Sequence, residues 1–381
     1  MNKATIMILS LALLSACKEA KQTVQMEVFS TTSEDLQCYG DSLLRNKRGA
    51  IVAIDPSNGE ILAMVSSSGK DFCTKAVYQA GTVFSLVNDI IAVSDGNIDE
   101  SATVDCDRGY RIDNLIQVRC HKHRSPVNLK EAVMMGCSSY SHESFLRIID
   151  YPSLGSKGKA LDHWREMVGR LGFGYKLNPQ ELDDNPGYIP GTLQYDRTYG
   201  ETGWDFRTVL DLAKGKGEIG VTPLQLANFC AIIANRGRYF IPHTTREVNA
   251  DGDPVGFIGL IDTGFKPECF YSVIEGMWLA AYSQAGEGGY AWIAHVDGLN
   301  ICAMPGRTGS GERDGNGLFI GFAPKDNPRI AVAVIVENGG HGNSFAAPIG
   351  SLMIEKYLTG STSRKHLEER MMNANLLNKQ I

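Results

Sequence analysis

Two apolar, β-branched runs open the patterned part of the chain, "RGAIVAID" from Arg48 and "EILAMVSS" from Glu60. Between them lies Pro56-Ser57-Asn58-Gly59, a cluster of turn formers, so the pattern predicts a hairpin. The period then changes. Phe84, Val87, Ile90, Ile91 and Ser94 follow Gly81 at helical spacing, with Thr82 as the expected N-cap. Asn128-Leu-Lys-Glu131 has capping-box spacing and opens a helix through Met134 and Met135. Thr222-Pro223-Leu224-Gln225 opens another, with Pro at its first helical position, and Gly237 stops it. Near the end, "GLFIGFA" and "RIAVAVIVE" read as strands around a Pro-Lys-Asp-Asn-Pro turn, and "AAPIGSLMIEKYL" as a helix packed on them. Strands at both chain ends with helices between them predict an α+β fold, an antiparallel sheet packed by helices.

Composition and charge narrow the function. The chain has 381 residues, 43% hydrophobic and 21% charged, with a formal net charge of −6. That is enough apolar sequence for a large core, and an acidic chain without a long basic run excludes nucleic acid as the expected partner. The one basic cluster, His121-Lys122-His123-Arg124, reads as a solvated loop. At the N-terminus, Lys3 precedes an apolar run from Ile6 to Leu14 that is too short for a membrane span but suits a signal-peptide core. It ends in Leu14-Ser15-Ala16-Cys17, which resembles the bacterial lipobox. The expected organisation is a signal peptide over 1–16, lipidation at Cys17, a polar membrane tether over 17–46 and one domain over 47–381. Cleavage after Ala16 without lipid is the alternative. The chain would then sit in the bacterial cell envelope, facing the periplasm.

Export makes disulfides permissible for the eight remaining cysteines. Cys106 and Cys120 flank a turn-rich stretch and are placed to bridge a hairpin, whereas Cys137 and Cys230 lie in apolar helical patterns and read as buried thiols. No Cys-x-x-Cys or His-x-x-x-His spacing occurs, so neither a metal site nor another cofactor is expected.

Three segments carry a family resemblance: "RGAIVAIDPSNGEILAMVSS", "GEIGVTPLQLANFCAIIANRGRYFIPH", and "GRTGSGE" followed by "GLFIGFAPKDNPRIAVAVIVENGG". Together they resemble the transpeptidase domain of penicillin-binding proteins, in particular class B members of the elongation type. That family works through Ser-x-x-Lys, Ser-x-Asn and Lys-Thr-Gly. The serine attacks a D-Ala-D-Ala carbonyl or a β-lactam ring, and the lysine one turn on takes its proton. The second motif relays a proton to the leaving group, and the third holds the substrate carboxylate.

The resemblance puts the first motif at Thr82-Val83-Phe84-Ser85, within "YQAGTVFSLV". Thr82 keeps an alcohol with a crowding methyl, and Ser85 loses the base. The second motif falls on Gly136-Cys137-Ser138, without a relay hydroxyl at Gly136 and with Ser138 too short to replace an asparagine amide. The third falls on Arg307-Thr308-Gly309, followed by Ser310, and Arg307 still suits a carboxylate. "GRTGSG" lacks the Gly-Lys-Ser/Thr ending of a phosphate loop. His142 and His341 read as loop or surface residues. The resemblance therefore implies a catalytically impaired transpeptidase homologue that binds peptidoglycan stem peptides or a cell-wall synthesis partner. The alternative is an active D,D-transpeptidase, carboxypeptidase or β-lactam acceptor using Thr82 as nucleophile. That alternative requires a base from elsewhere in the chain.

Overall fold

The hairpin over residues 49–66 forms as expected and enters a sheet completed by the far end of the chain. The structure, a computed structural model, describes residues 27–67, 71–113, 115–150, 154–249, 259–283, 287–309 and 315–377. The first elements are β1 (Glu27–Ser30), α1 (Glu34–Leu44), β2 (Gly49–Ile54), β3 (Ile61–Ser66) and α2 (Ser85–Ser94). A second hairpin, β4 (Gly109–Ile112) and β5 (Leu115–Arg119), leads into α3 (Leu129–Met135), α4 (Ser138–Ile149), α5 (Lys157–Arg170), α6 (Thr192–Tyr199) and α7 (Pro223–Ala234). Short strands β6 (Arg238–Phe240), β7 (Thr245–Val248) and β8 (Leu260–Asp262) precede α8 (Tyr271–Tyr282). The chain closes with β9 (Cys302–Arg307), β10 (Gly317–Ala323), β11 (Ile330–Val336), α9 (Ala346–Thr359) and α10 (Lys365–Asn373).

The main sheet runs β3-β2-β11-β10-β9, with every pairing antiparallel. Strand alternation divides β2 between two cores. Ala50, Val52 and Ile54 face the helical mass that holds α2 and α7, and Ile51 and Ala53 face α1 and α9. Burial on both faces explains why β2 and β11 read as unbroken apolar runs instead of alternating ones. Both expected capping boxes are present, Asn128 with Glu131 on α3 and Thr222 with Gln225 on α7.

The segment expected as a tether over 17–46 is ordered from Glu27 onward. β1 pairs with β7, and α1, capped by Ser33, buries Leu36, Leu43 and Leu44 against the sheet. Its apolar stripe is only three leucines wide among polar residues, which is why the helix was not legible. The signal-peptide, Cys17 and Ser310 expectations lie outside the described residues. No described helix is long and apolar enough to cross a membrane.

Candidate active-site cleft

Thr82 does not cap a helix. Gly81–Phe84 form a 3-10 turn, and α2 begins at Ser85 without a side-chain cap. The Thr82 hydroxyl instead accepts the Arg307 backbone N–H at 3.1 Å, which ties the first motif to the end of β9. Gly81 makes this approach possible. Its backbone is left-handed (φ 59°), and a Cβ there would lie 2.4 Å from the Arg307 carbonyl oxygen.

Gly136 is the left-handed C-cap of α3 (φ 66°), and Ser138 begins α4, so the second motif is the corner between two helices. β9 ends at Arg307; Thr308 exchanges hydrogen bonds with Asn316 at 3.0 Å in both directions. The three segments meet in one cavity of about 510 Å³, lined by Thr82, Ser85, Gly136, Ser138, Arg307 and Gly309 among others. The expected motif positions are therefore neighbours in space. Among the described residues, no lysine, histidine or carboxylate hydrogen-bonds the Thr82 hydroxyl, whose partner is the Arg307 N–H.

Several cleft residues were missed by sequence reasoning. Lys214 and Lys216 line the cavity, and their only sequence signal is "KGKG" just ahead of the α7 segment. Asp89 lines it from α2, one turn beyond Ser85, and is 2% exposed with no hydrogen-bond partner for Oδ1. The basic cluster is a solvated loop, as expected, with His121, Lys122 and Arg124 exposed, and it also borders the cleft. His121 stacks on Tyr290 in the cleft wall, and Arg124 pairs with Glu131 at 2.9 Å. His142 is buried in α4, and burial pushes its imidazole down to about 3, so it is neutral. His341 approaches Arg307 Nη1 at 3.2 Å, at the mouth of the cleft.

Burial pushes the Asp89 carboxyl up to about 7. A folded-state value above the unfolded one makes the folded chain bind the proton more tightly. The associated stability is full below about pH 4 and is lost as pH rises toward 7. Between pH 4 and pH 8 that loss is on the order of 4 kcal/mol. Asp89→Asn is thus expected to flatten the decline of melting temperature between pH 5 and pH 8. Parallel wild-type and variant curves in a thermal-melt pH series would refute this.

The second motif also adjoins a group of soft ligands. The donor atoms of Cys106, Cys120, His123 and Cys137 all lie within 4.8 Å of one another. The cysteines are free, so the expected Cys106–Cys120 bridge is absent, and Cys137, a buried thiol as expected, is also a member of this cluster. Hydrogen bonding from Cys137, with His121 and the Ser138 N–H also close, holds the Cys120 thiol well below its usual range, while the same contact pushes Cys137 up. His123 Nδ1 lies 2.6 Å from the Arg124 carbonyl, which selects the tautomer that leaves Nε2 as a lone-pair donor 3.4 Å from Cys120 Sγ. Three thiolates and one imidazole are a closed tetrahedral set that suits zinc in a structural role. The expectation of no metal site rested on local spacing. These four side chains converge from the flanks of the β4–β5 hairpin and the α3–α4 corner, which no local spacing would reveal.

The model of the family described as "Penicillin binding protein transpeptidase domain" matches residues 49–355. The peptidoglycan D,D-transpeptidase MrdA of Acinetobacter baumannii is 29% identical over 371 residues, covering 84% of this chain and 52% of that protein. MrdA of Escherichia coli K12 is 24% identical, covering 88% and 58%. The chain thus spans about half the length of the curated relatives it matches. Among solved structures, PBP2 of Pseudomonas aeruginosa in complex with WCK 5153 aligns with a TM-score of 0.73 at 24% identity, covering 89% of this chain and 81% of that one. The complex of PBP2 and MreC from Helicobacter pylori aligns with a TM-score of 0.70 at 19% identity, covering 88% and 64%.

Proposed function

The chain belongs to the penicillin-binding protein transpeptidase domain family, and from that premise we propose that it binds peptidoglycan stem peptides in this cleft without carrying out acyl transfer. The observation that carries the reading is the Thr82 hydroxyl, which lies at the junction of three motif positions and to which no lysine, histidine or carboxylate hydrogen-bonds among the described residues. Ser85, where the family has lysine, can neither accept the nucleophile's proton near neutral pH nor supply a positive charge. General-base assistance is worth about 10²–10⁴ in rate. Gly136 and Ser138 remove the relay to the leaving group. Without these three functions, a bound D-Ala-D-Ala carbonyl meets a weak, unactivated alcohol.

Binding chemistry is better supplied. Arg307 stands at the end of β9 with a guanidinium fit for bidentate carboxylate recognition, and its own backbone is fixed by Thr82. Cys17 supplies the envelope anchor in this reading, after removal of residues 1–16. A cell-wall synthesis partner is a second proposed contact, motivated by the likeness to the Helicobacter pylori PBP2–MreC complex.

Titration with a D-Ala-D-Ala peptide tests the binding claim. Arg307→Ala is expected to weaken it by roughly 10- to 100-fold, the range for a charge-assisted hydrogen-bonded pair. Unchanged affinity in that variant would remove Arg307 from the site.

A further inference from the structure

The first motif has lost its lysine, yet two lysines enter the cleft from another part of the chain. Lys214 ends a 3-10 turn over Leu210–Lys214, and Lys216 follows Gly215. This loop lies directly on the turn that carries Thr82. The Gly81 N–H donates to the Gly215 carbonyl at 3.0 Å, and a Cβ on left-handed Gly215 (φ 61°) would lie 2.5 Å from Phe84 Cβ. Asn88, on α2, donates to the Ala213 carbonyl at 3.1 Å and accepts the Trp164 indole N–H at 2.8 Å. On its far side, Lys216 Nζ donates to the Gly309 carbonyl at 2.9 Å. The loop is thereby held by the first motif at one end and by the third at the other.

Lys216 has a hydrogen-bond partner, whereas Lys214 has none. Its half-buried side chain lines the cavity and makes no hydrogen bond or ion pair among the described residues. Burial, and then Lys216 beside it, push the ammonium down to about 8. Asp211 and the Cys120 and Cys137 thiols act in the opposite direction, but none of them hydrogen-bonds or ion-pairs with Lys214 among the described residues, and partly buried cations in clefts mark candidate functional sites. The described cavity wall presents Arg119, Lys214, Lys216 and Arg307 against the single carboxylate of Asp89. These four cations outnumber the Asp89 carboxylate and the Cys120 thiol, and the excess favours an anionic ligand.

We propose that Lys214 converts the nucleophile centre into a carboxylate subsite, so that the cleft favours a stem peptide already shortened by one D-alanine. The terminal carboxylate of that peptide lies where an intact peptide presents its scissile amide carbonyl. An amide oxygen carries only a partial charge. A carboxylate brings a full charge and acceptor sites for Lys214 together with the Thr82 and Ser85 hydroxyls. No bond is made or broken. The inference rests on the reading of the cleft as a stem-peptide site, and it assigns the trimmed product of a carboxypeptidase-type reaction as the preferred ligand.

Calorimetric titration of the full chain in detergent tests it, with diacetyl-L-Lys-D-Ala, diacetyl-L-Lys-D-Ala-D-Ala and the C-terminal amide of each as probes. The shorter acid is expected to bind about tenfold or more tightly than its own amide, and more tightly than the longer acid. Lys214→Met is expected to abolish that preference, and Lys214→Arg to restore it. A melt of Lys214→Met confirms folding, since losing an unpaired ammonium should not lower the melting temperature. If the longer acid binds and the shorter does not, or if Lys214→Met leaves their ratio unchanged, the inference is overturned and the stem-peptide reading stands. If neither acid binds the wild-type chain, the stem-peptide reading fails and takes the inference with it.

Discussion

Incubated with a labelled penicillin, the full chain is expected to keep its unmodified intact mass, and the double variant Thr82→Ser with Ser85→Lys to gain a covalent adduct. The gain in acylation rate should be about 10²–10⁴, the usual contribution of a positioned base. The geometry favours recovery because the surrounding frame is intact. Gly81 still brings the 3-10 turn against β9, and residue 85 still begins α2 on the cavity wall. A lysine there would share the cavity with Lys214, and two ammonium groups repel. That repulsion favours the neutral, proton-accepting form of the new lysine, so adding Lys214→Met to the double variant should lower acylation. Stable acylation of the wild-type chain that disappears in Thr82→Ala would overturn the proposed function and restore Thr82 as a working nucleophile.

Removal of metal from the thiol cluster is expected to have the largest effect on stability. The purified chain should carry one zinc ion per molecule in native mass spectrometry. Structural zinc sites contribute folding free energy directly, about 10–16 kcal/mol in small zinc-finger peptides. In a domain of this size only part of that would appear as lost stability, because much of the core lies elsewhere. Cys120→Ser is nonetheless expected to lower the melting temperature by roughly 10 °C or more, given about 2–4 °C per kcal/mol. The loss should reach the cleft as well, since Cys137 is the middle residue of the second motif and the Ser138 N–H donates to Cys120 Sγ at 3.4 Å. A Cys106–Cys120 disulfide found by peptide mapping would sink the metal reading. So would a metal-free chain whose Cys120→Ser variant melts at the wild-type temperature.

Much of the cleft's frame was legible in sequence because local rules govern it. The Asn128 and Thr222 capping boxes, the Pro56–Gly59 turn and the apolar runs of β2, β10 and β11 each depend on residues a few positions apart. The α1 helix failed the same test, because its periodic signal is three leucines and its stability comes from the sheet it covers. Thr82 was misread as a cap for a related reason. The sequence offers a hydroxyl before a helical run, but the fold places the Arg307 N–H within its reach and starts the helix three residues later.

The sequence by itself determined the family, the sheet-forming segments and the presence of Ser85 where the resemblance expects a lysine. Only the tertiary structure decided what now surrounds that position. Lys214 and Thr82 are 132 positions apart in the chain, and Cys106 and Cys137 are 31 apart. No local period links such residues. Their encounter is set by how α2, the α3–α4 corner and β9 pack around one cavity. Charge, hydrogen-bond reach and donor convergence act through space, so the chemistry of this cleft is a property of the packed molecule.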